Sequence, residues 1–256
     1  MLTAARKRRD FPLMNTSKYT KKLASCFAAA ALIIGAFGCA QDKTVRNGDT
    51  CAAQWQPLFN ADLSNAIYDK SVWSVGKDGV MRATKDDIIF TDRDYQNFEL
   101  ELEFRIVAKS NSGVVIYCTD AKDWIPNSIE IQIADSSCKE FGRPRHNCAS
   151  IFGHVDSEFD TRLPFGQWQK MKIRAVGQRI DVWLNGRHAS TMDMSQWTDN
   201  KLTPRGEKIP SWLTKHKKCE MPTVGKIGLQ GKHGNAETDF RNVKIRLLDC
   251  PKAAAK

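Results

Sequence analysis

The sequence from Phe98 to Ile106 alternates strictly between apolar and charged side chains. Every even position is Phe, Leu or Ile, and every odd position is Glu or Arg. Since successive side chains of a β-strand point to opposite faces, this pattern predicts a strand with one face in a core and the other in water. Half-buried strands of this kind are typical of antiparallel sheets, so the chain is expected to form a β-sandwich or a barrel.

Six further segments show the same period, or are short apolar runs between turn residues. They are 113–117, 128–133, 171–175, 180–184, 225–229 and 240–247. Asn185-Gly186 is the dipeptide most typical of a two-residue hairpin turn. In the last segment Phe240 and Val243 break the alternation, which predicts a β-bulge near Arg241-Asn242. No window predicts a long helix, so the expected class is all-β.

The chain beyond residue 53 has the length of one large β-sandwich domain, which we predict over 54–250, with a short tail at 251–256. Two long irregular stretches interrupt its strands, at 136–164 and 196–222. Loops of this length inside a compact domain are often functional, so these two are expected to wall a groove. The alternative for 196–222 is an insertion without a role, tied down by a disulfide.

Residues 1–38 have the organisation of a bacterial export signal. Basic residues precede an Ala-rich apolar segment at 23–37, and small residues lead to Cys39. The end of this segment resembles a lipobox, which implies that Cys39 becomes the lipidated first residue of the mature protein. A plain secretory signal, in which Cys39 has no role, is the alternative. We therefore predict an exported, membrane-anchored lipoprotein, periplasmic or facing the outer membrane, with a polar tether at 39–53.

The charge of the mature chain is mild. The full sequence carries +10, but residues 1–38 contribute +6 of it, which leaves +4. A charge of this size, without a recognisable nucleic-acid-binding motif, does not predict a nucleic-acid partner. The expected membrane contact is through the lipid anchor only.

Six cysteines lie beyond the signal and the proposed anchor, namely Cys51, Cys118, Cys138, Cys148, Cys219 and Cys250. An even number in an exported protein predicts disulfides, although six cysteines allow fifteen pairings. Cys138 with Cys148 is the most local pair, and Cys51 with Cys250 would join the two ends of the domain. Those two choices leave Cys118 with Cys219. A zinc site is less favoured because the sequence has no C-x-x-C pair.

The segment Ser128–Asp135 carries the clearest sign of function. Ile129, Ile131 and Ile133 share one face of the predicted strand, whereas Glu130 and Gln132 share the other. A carboxylate and an amide side by side resemble the polar groups that line a sugar-binding groove. An ordinary solvated face is the alternative.

Twelve short motifs then occur in one order between about residues 55 and 248. They are PLFNADL (57–63), WSV (73–75), DGV (78–80), YQNFEL (95–100), EFR (103–105), NSGV (111–114), EIQIAD (130–135), PFGQW (164–168), WLNG (183–186), GKIGLQ (225–230), HG (233–234) and FRNV (240–243). In this order they resemble the 3-keto-disaccharide hydrolase domain family. The resemblance implies a concanavalin-like jelly-roll sandwich of two antiparallel sheets. It also implies a glycoside substrate oxidised to a ketone at C3, with a sugar 3-dehydrogenase acting upstream.

A ketone at C3 acidifies the proton at C2, so a base can remove that proton and the group at C1 can leave by elimination. Glu130 is the first candidate for this base, or for a metal ligand, and Gln132 is expected to hold hydroxyl groups. Asp135 is a catalytic candidate only if a bulge turns it inward. His233, in the HG motif, is expected to act as an acid or a metal ligand, with a loop histidine of no task as the alternative.

Four more residues are candidates for substrate binding. They are Gln230, at the end of the GKIGLQ strand, His154, Arg105, and Trp124, which is placed to stack on a pyranose ring. Arg105 has a solvated strand face as its alternative. A divalent cation is possible because carboxylates and imidazoles are at hand, but the sequence has no dedicated metal spacing, and no cofactor is predicted with certainty.

Two functions remain open at this point. The first is a hydrolase or lyase that cleaves the glycosidic bond of a 3-keto-glycoside by base-assisted elimination. The second is a lectin-like carbohydrate-binding module without catalysis, since jelly rolls serve both purposes and a fold alone does not choose between them.

Overall fold

The structure is a computed structural model that describes residues 54–234 and 236–248. Within these residues the regular secondary structure is almost entirely β. The strands are β1 (Gln56–Pro57), β2 (Ala66–Ile67), β3 (Trp73–Val75), β4 (Met81–Ala83), β5 (Ile88–Thr91), β6 (Phe98–Ile106), β7 (Asn111–Cys118), β8 (Ile129–Ala134), β9 (Gln169–Val176), β10 (Arg179–Leu184), β11 (Arg187–Asp193), β12 (Lys226–Gln230) and β13 (Thr238–Leu247). Short 3₁₀-helices occupy Met194–Gln196, Ser211–Leu213 and Lys218–Glu220.

The described strands form two antiparallel sheets. The large sheet has the order β11-β10-β9-β6-β13-β4-β3, with β1 paired beside β13. The small sheet has the order β2-β5-β12-β7-β8. Because strands distant in sequence lie side by side in both sheets, the topology is a jelly roll. The predicted all-β sandwich is confirmed.

The core lies between the two sheets and is built by the alternation seen in the sequence. Leu100, Leu102 and Phe104 of β6 are buried, as are Ile129 and Ile131 of β8, and all belong to one apolar cluster. The glutamates on the opposite face of β6 point outward and pair with cations of the neighbouring strands, and Arg105 on the same face pairs with Asp239 of β13. Burying one face of each sheet against the other removes apolar surface from water, and this is the main force that stabilises the sandwich.

The predicted hairpin turn is confirmed. Asn185 and Gly186 both have positive φ, 51° and 81°, which is the conformation of a type I′ turn between β10 and β11. Asn tolerates the left-handed region and Gly enters it freely, so this dipeptide fits the turn at little cost.

The predicted bulge in β13 is confirmed as well. The pairing of β13 with β6 shifts between Arg241 and Lys244, and Asn242 has a φ of 52°. The bulge also divides the other edge of β13 between two partners. Phe240 pairs with Met81 of β4 before the bulge, and β1 pairs with β13 after it.

The two long loops are attached to the small sheet. Ser150 accepts a hydrogen bond from the Gln132 amide, and the Phe152 amide donates to the carbonyl of Glu130, both at 2.9 Å. This part of the 136–164 loop therefore continues the small sheet beyond β8. The 196–222 insertion reaches the loop before β8, where the Lys215 ammonium lies 2.8 Å from the Asp123 carboxylate.

The cysteine pairings within the described residues are not formed. Cys118, Cys138, Cys148 and Cys219 are all free thiols. Cys148 is buried in the main core, whereas Cys138 is partly exposed on the loop, so their side chains do not meet. Cys118 packs instead with apolar side chains of the small sheet, and Cys219 lies in a 3₁₀-helix of the insertion. The Cys138–Cys148 and Cys118–Cys219 predictions are therefore wrong for this structure.

The signal segment, Cys39, the tether, Cys51, Cys250 and the tail lie outside the described residues. The predictions for them remain predictions. In the part of the chain that the structure describes, no helix has the length and the apolar character needed to cross a membrane.

Gly225 provides a test of this packing. A methyl group on Gly225 would overlap backbone atoms of Tyr117 and Cys118, at 2.6 to 2.8 Å. We expect Gly225→Ala to lower the free energy of unfolding by about 1–3 kcal/mol, because neighbouring backbone cannot yield as a flexible side chain can. Urea unfolding followed by tryptophan fluorescence measures it. Val224→Ala, at an exposed neighbour, is expected to change stability by less than about 0.5 kcal/mol, and an equal loss in both variants would contradict the packing argument.

Candidate functional site

The candidate site lies on the face of the small sheet that points away from the core. In the pairing of β7 with β8, Val115 lies opposite Glu130, and Gly113 lies opposite Gln132. Gly228 of β12 lies opposite Val115 on its other side. Since opposed residues of an antiparallel pair share a face, this outer face of the small sheet gathers the polar side chains of β8 over small residues of β7 and β12.

Gly113 makes room for the carboxyl of Glu130. A Cβ atom at position 113 would overlap Oε1 of Glu130, and it would lie 2.9 Å from Cγ of the same side chain. The Glu130 side chain therefore lies down across β7, diagonally from its own pairing partner, instead of extending into solvent. Any side chain at position 113 would displace it.

An apolar cluster lies beside Glu130 on this face, since Val115 is its pairing partner. Phe90, Val115 and Cys118 form a second buried cluster on the outer face, and Ala121 and Trp124 of the loop before β8 pack against it. A methyl group on the neighbouring Gly228 would meet the Phe90 ring at 2.7 Å, so glycine is needed for the ring to lie flat on the sheet. The result is an apolar surface beside the carboxyl group of Glu130.

The environment of Glu130 changes its ionisation. Glu130 is half-buried, and no cation or hydrogen-bond donor of the described residues contacts its carboxyl. Burial disfavours the charged form, and this raises the pKa of Glu130 from 4.5 to about 8. The group is therefore mostly protonated at neutral pH and becomes a strong base when it ionises.

Gln132 continues the polar row. Its Nε2 donates to Oδ1 of Asn111 at 3.0 Å, while its own Oε1 is buried without a hydrogen-bond partner among the described residues. Because this bond occupies Oδ1 of Asn111, the Asn111 amide nitrogen is directed away from Gln132 and keeps its donors for another group. Asn111 is paired with Ala134 at the edge of the same face.

A histidine and a carboxylate lie at the far end of this face. Nδ1 of His233 lies 2.6 Å from Oδ2 of Asp86, and the His233 backbone pairs with that of Asn111. About half of each side chain is exposed. The bond to Asp86 leaves Nε2 of His233 as the nitrogen that can face a ligand. His233 and Glu130 share the face. Their backbones are two strand spacings apart across the sheet and, because their partners on β7 are Asn111 and Val115, four residues apart along it, which is roughly 16 Å in all.

The long insertion closes one side of this surface. Nε2 of His216 lies 2.8 Å from Oδ1 of Asn127, next to the ion pair between Lys215 and Asp123. These contacts hold the loop that carries Trp124 over the apolar cluster. The expectation that 196–222 walls the groove is thus consistent with where the insertion is attached.

The family model described as a 3-keto-alpha-glucoside-1,2-lyase-like domain matches residues 54–246, which is most of the chain. The chain belongs to this family. A comparison with curated proteins found no match.

Solved structures include one relative of this chain and others that share its fold. A candidate glycosyl hydrolase from Parabacteroides distasonis is 49% identical, with a TM-score of 0.73, and the match covers 76% of this chain and 100% of that one. A second candidate glycosyl hydrolase from the same organism is 22% identical, with a TM-score of 0.59, and the match covers 76% and 94% of the two chains. The second likeness shows the shared fold alone.

The candidate site gathers only some of the residues predicted from the sequence. Glu130, Gln132, Gln230 and His233 belong to strand positions that share the outer face, and Trp124 packs over its apolar part. Gln230 is nearly buried, and its carbonyl accepts a hydrogen bond from the Ser112 hydroxyl at 2.7 Å.

Asp135 does not belong to the site. Its carboxylate accepts hydrogen bonds from the amides of Lys109 and Ser137, both at 2.9 Å, and from the Ser137 hydroxyl. Burial opposes ionisation, but these hydrogen bonds outweigh it and hold the pKa of Asp135 below its ordinary value. The residue fixes two loops at the end of β8, so its predicted catalytic role is wrong.

Arg105 lies on the other sheet. Its guanidinium pairs with Asp239 at 2.7 Å and lies over the ring of Trp168, on the outward face of β6. The side chain therefore points away from the Glu130 face. The predicted role in binding substrate there is wrong, and the solvated-face alternative is the correct one.

His154 is buried beneath the insertion. Its Nδ1 lies 2.7 Å from the Phe152 carbonyl, and its ring packs edge-on against Trp197 at 5.2 Å. Burial, assisted by the nearby charge of Lys218, lowers the pKa of His154 to about 3, so the imidazole is neutral. With 5% of its surface exposed, it anchors the insertion and does not reach a ligand on the outer face.

Sequence reasoning missed three residues of the site. Asn111 and Gly113 were visible in the NSGV motif, but only the folded sheet shows that one faces Gln132 and the other underlies Glu130. Asp86 gave no signal, because its role depends on a contact with His233, 147 positions away. Among the described residues, no group of three His, Cys, Asp or Glu side chains is placed to hold a metal ion.

The raised pKa of Glu130 has a consequence for stability. The folded state holds this proton more tightly than the unfolded chain, so stability falls as pH rises from about 4.5 to about 8. We expect Glu130→Gln, which carries no charge, to be more stable than the wild type at pH 9 by roughly 1–3 kcal/mol, and about equal to it at pH 4. Chemical denaturation at both pH values measures this. A difference that does not change with pH would contradict the burial of the carboxyl.

Gly113→Ala tests how the carboxyl is positioned. The added methyl group pushes the Glu130 side chain off β7 and toward solvent, so the pKa of Glu130 is expected to fall toward its ordinary value. Titration of the side-chain carboxyl by carbon NMR measures it. Gly166→Ala is the control, since its methyl group enters open space and strains only the local backbone. An unchanged titration in Gly113→Ala would show that Gly113 does not set the position of the carboxyl.

Proposed function

We propose that this protein is a lyase or hydrolase that cleaves the glycosidic bond of 3-keto-glycosides by base-assisted elimination, with Glu130 as the base. The observation that carries the proposal is the desolvated Glu130 carboxyl, which lies on the outer face without a cation to hold it ionised. Membership of the lyase-like family and the glycosyl hydrolase relative at 49% identity support a carbohydrate substrate.

The reaction follows from the chemistry of a ketone at C3. The ionised Glu130 carboxylate takes the proton from C2, and the electron pair of that bond forms an enolate with the C3 carbonyl. The enolate collapses, the ketone is restored, a double bond forms between C1 and C2, and the bond from C1 to the leaving oxygen breaks. The leaving oxygen takes up a proton. Addition of water across the new double bond then completes a net hydrolysis.

A carboxyl with a pKa near 8 suits this step. A weak base would leave the C2 proton in place, whereas a base whose pKa lies near the working pH combines strength with a useful ionised fraction. The surrounding Phe90, Val115 and Trp124 keep water from stabilising the carboxylate. This is the same effect that raises its pKa.

Polar neighbours supply the remaining roles. The Asn111 amide nitrogen, freed by the bond from Gln132 to its oxygen, is proposed to donate a hydrogen bond to the developing charge on the C3 oxygen. His233, oriented by Asp86, is proposed as the acid for the leaving oxygen. We also retain the proposals of export, a lipid anchor at Cys39 and an upstream sugar 3-dehydrogenase.

The lectin-like alternative makes a different use of the same face. A lectin recognises hydroxyl groups through hydrogen bonds, and this does not require a raised pKa, because a carboxyl accepts hydrogen bonds when ionised and both donates and accepts them when protonated. The unpaired Glu130 carboxyl therefore favours the enzyme. The alternative predicts that Glu130→Gln keeps affinity and that no substrate is turned over.

A deuterium experiment tests the elimination. The protein is incubated with a 3-keto-glucoside that carries a chromogenic group at C1, either with hydrogen or with deuterium at C2. We expect release of the chromophore to be several-fold slower for the deuterated substrate, because the C2 bond breaks in the step, and we expect kcat/KM to rise with pH up to about 8. The unoxidised glucoside is expected to give no release.

Variants and EDTA complete the test. Glu130→Gln is expected to lower kcat by at least 10³-fold, and Glu158→Gln, at an exposed carboxylate, is expected to leave it within twofold. Equal rates for both C2 isotopes, or equal release from the unoxidised sugar, would refute elimination. Saturable sugar binding without release from any substrate would leave the lectin. A loss of release with EDTA would add a metal ion to the site.

A further inference from the structure

A row of side chains crosses the outward face of the large sheet, on the opposite side of the sandwich from Glu130. Trp183 lies opposite Lys172, Lys172 opposite Glu101, and Glu101 opposite Lys244. Lys244 in turn pairs with Pro57 of β1. The row thus crosses five strands, and at a strand spacing of about 4.8 Å it spans about 19 Å.

Two adjoining cavities lie along this row. The first, of about 530 Å³, is at the β13 bulge, where the edge of the sheet passes from β4 to β1, and Trp55 is among its lining residues. The second, of about 350 Å³, is lined by Trp183. Glu101 and Lys170 line both. Each volume is within the roughly 300–1,000 Å³ of small-molecule sites, and together they form a groove with an indole at either end.

The indoles are held in place by cations. Lys244 Nζ lies 5.0 Å from the centre of the Trp55 ring, and Lys172 Nζ lies 5.3 Å from that of Trp183. Surface ion pairs alone contribute little to stability, and a solvated strand face has no need of large aromatic rings. The ion pairs on this face therefore do not account for the presence of the two tryptophan rings.

The cations between the indoles outnumber the carboxylates, but each is already paired with a glutamate of β6, including Lys172, which lies 2.8 Å from Glu99. Glu101 lies 3.3 Å from Lys170 and 3.2 Å from Lys244, and Glu103 lies 2.6 Å from Arg241. Carboxylates accept hydrogen bonds and ammonium or guanidinium groups donate them, so the pairs together match a ligand whose hydroxyls both donate and accept. A polyanion would be repelled by the carboxylates of Glu101 and Glu103. The C–H faces of pyranose rings pack well on indoles.

We propose that this groove, from Trp55 to Trp183, is a second carbohydrate site that binds an uncharged oligosaccharide. It faces away from the Glu130 surface, so binding here is independent of the reaction proposed there. Its length suits a chain of several sugar rings, which would hold the protein on a glycan while the other sheet acts on a smaller substrate.

The test uses the full chain with Glu130→Gln, which separates binding from turnover. Cellohexaose, maltohexaose, laminarihexaose and xylohexaose are the neutral probes in calorimetry, and an oligogalacturonate of the same length is the charged probe. We expect at least one neutral probe to bind saturably. Trp55→Ala and Trp183→Ala are each expected to weaken it by tenfold or more, and Glu103→Gln, which preserves size, by about threefold or more.

Trp212→Ala is the matched control, because Trp212 is 54% exposed on the insertion and lines neither cavity. It is expected to change affinity by less than twofold. Binding of none of the four neutral probes, binding of the galacturonate alone, or unchanged affinity in both Trp55→Ala and Trp183→Ala would overturn the proposal. The chromogenic assay, on protein that keeps Glu130, measures the proposed reaction separately. Loss of oligosaccharide binding and loss of catalysis can therefore be told apart.

Discussion

The pairing of β7 with β8 is the contact on which the candidate site depends. It places Gly113 beneath the Glu130 carboxyl, and the absence of a side chain at position 113 lets this carboxyl lie across β7, beside an apolar surface. The raised pKa of Glu130, the apolar surface around Phe90 and the free amide nitrogen of Asn111 all follow from this register. A slip of one residue would turn Glu130 into the core and Ile131 out of it, so the burial of the isoleucines fixes the chemistry of the opposite face.

The outward carboxylates of the two sheets have opposite environments. On the large sheet, Glu99, Glu101 and Glu103 each meet a cation from a neighbouring strand. On the small sheet, Glu130 meets none among the described residues. Both are outward carboxylates on regular strands. The difference lies in their neighbours, and it gives the protein one ordinary charged surface and one group whose proton is available near neutral pH.

The sequence was sufficient to predict those parts of the structure that depend on short-range patterns. The alternation in β6 and β8, the turn at Asn185-Gly186 and the bulge at Asn242 are short-range patterns, and the structure confirms them. It was insufficient where a side chain finds its partner across the fold. The Asp135 carboxylate accepts a hydrogen bond from the amide of Lys109, and Arg105 lies on the large sheet, away from Glu130. Neither position could be predicted, because strand order is set by packing that no single segment encodes. The Cys138–Cys148 and Cys118–Cys219 disulfides are absent for the same reason, since an even number of cysteines does not place two thiols side by side.

The division of the β13 edge has a mechanical consequence. Strand β1 joins the sheet through only two residue pairs, and the Leu58 amide adds one bond to the Val243 carbonyl. The neighbouring β4 and β6 keep their own pairings with β13 and do not depend on it. A pull on the N-terminal side of the domain, as a surface anchor would exert, therefore meets its first resistance in a short strand that can peel away by itself. Tension would be dissipated there, at one edge, before it reached the central strands of the sandwich.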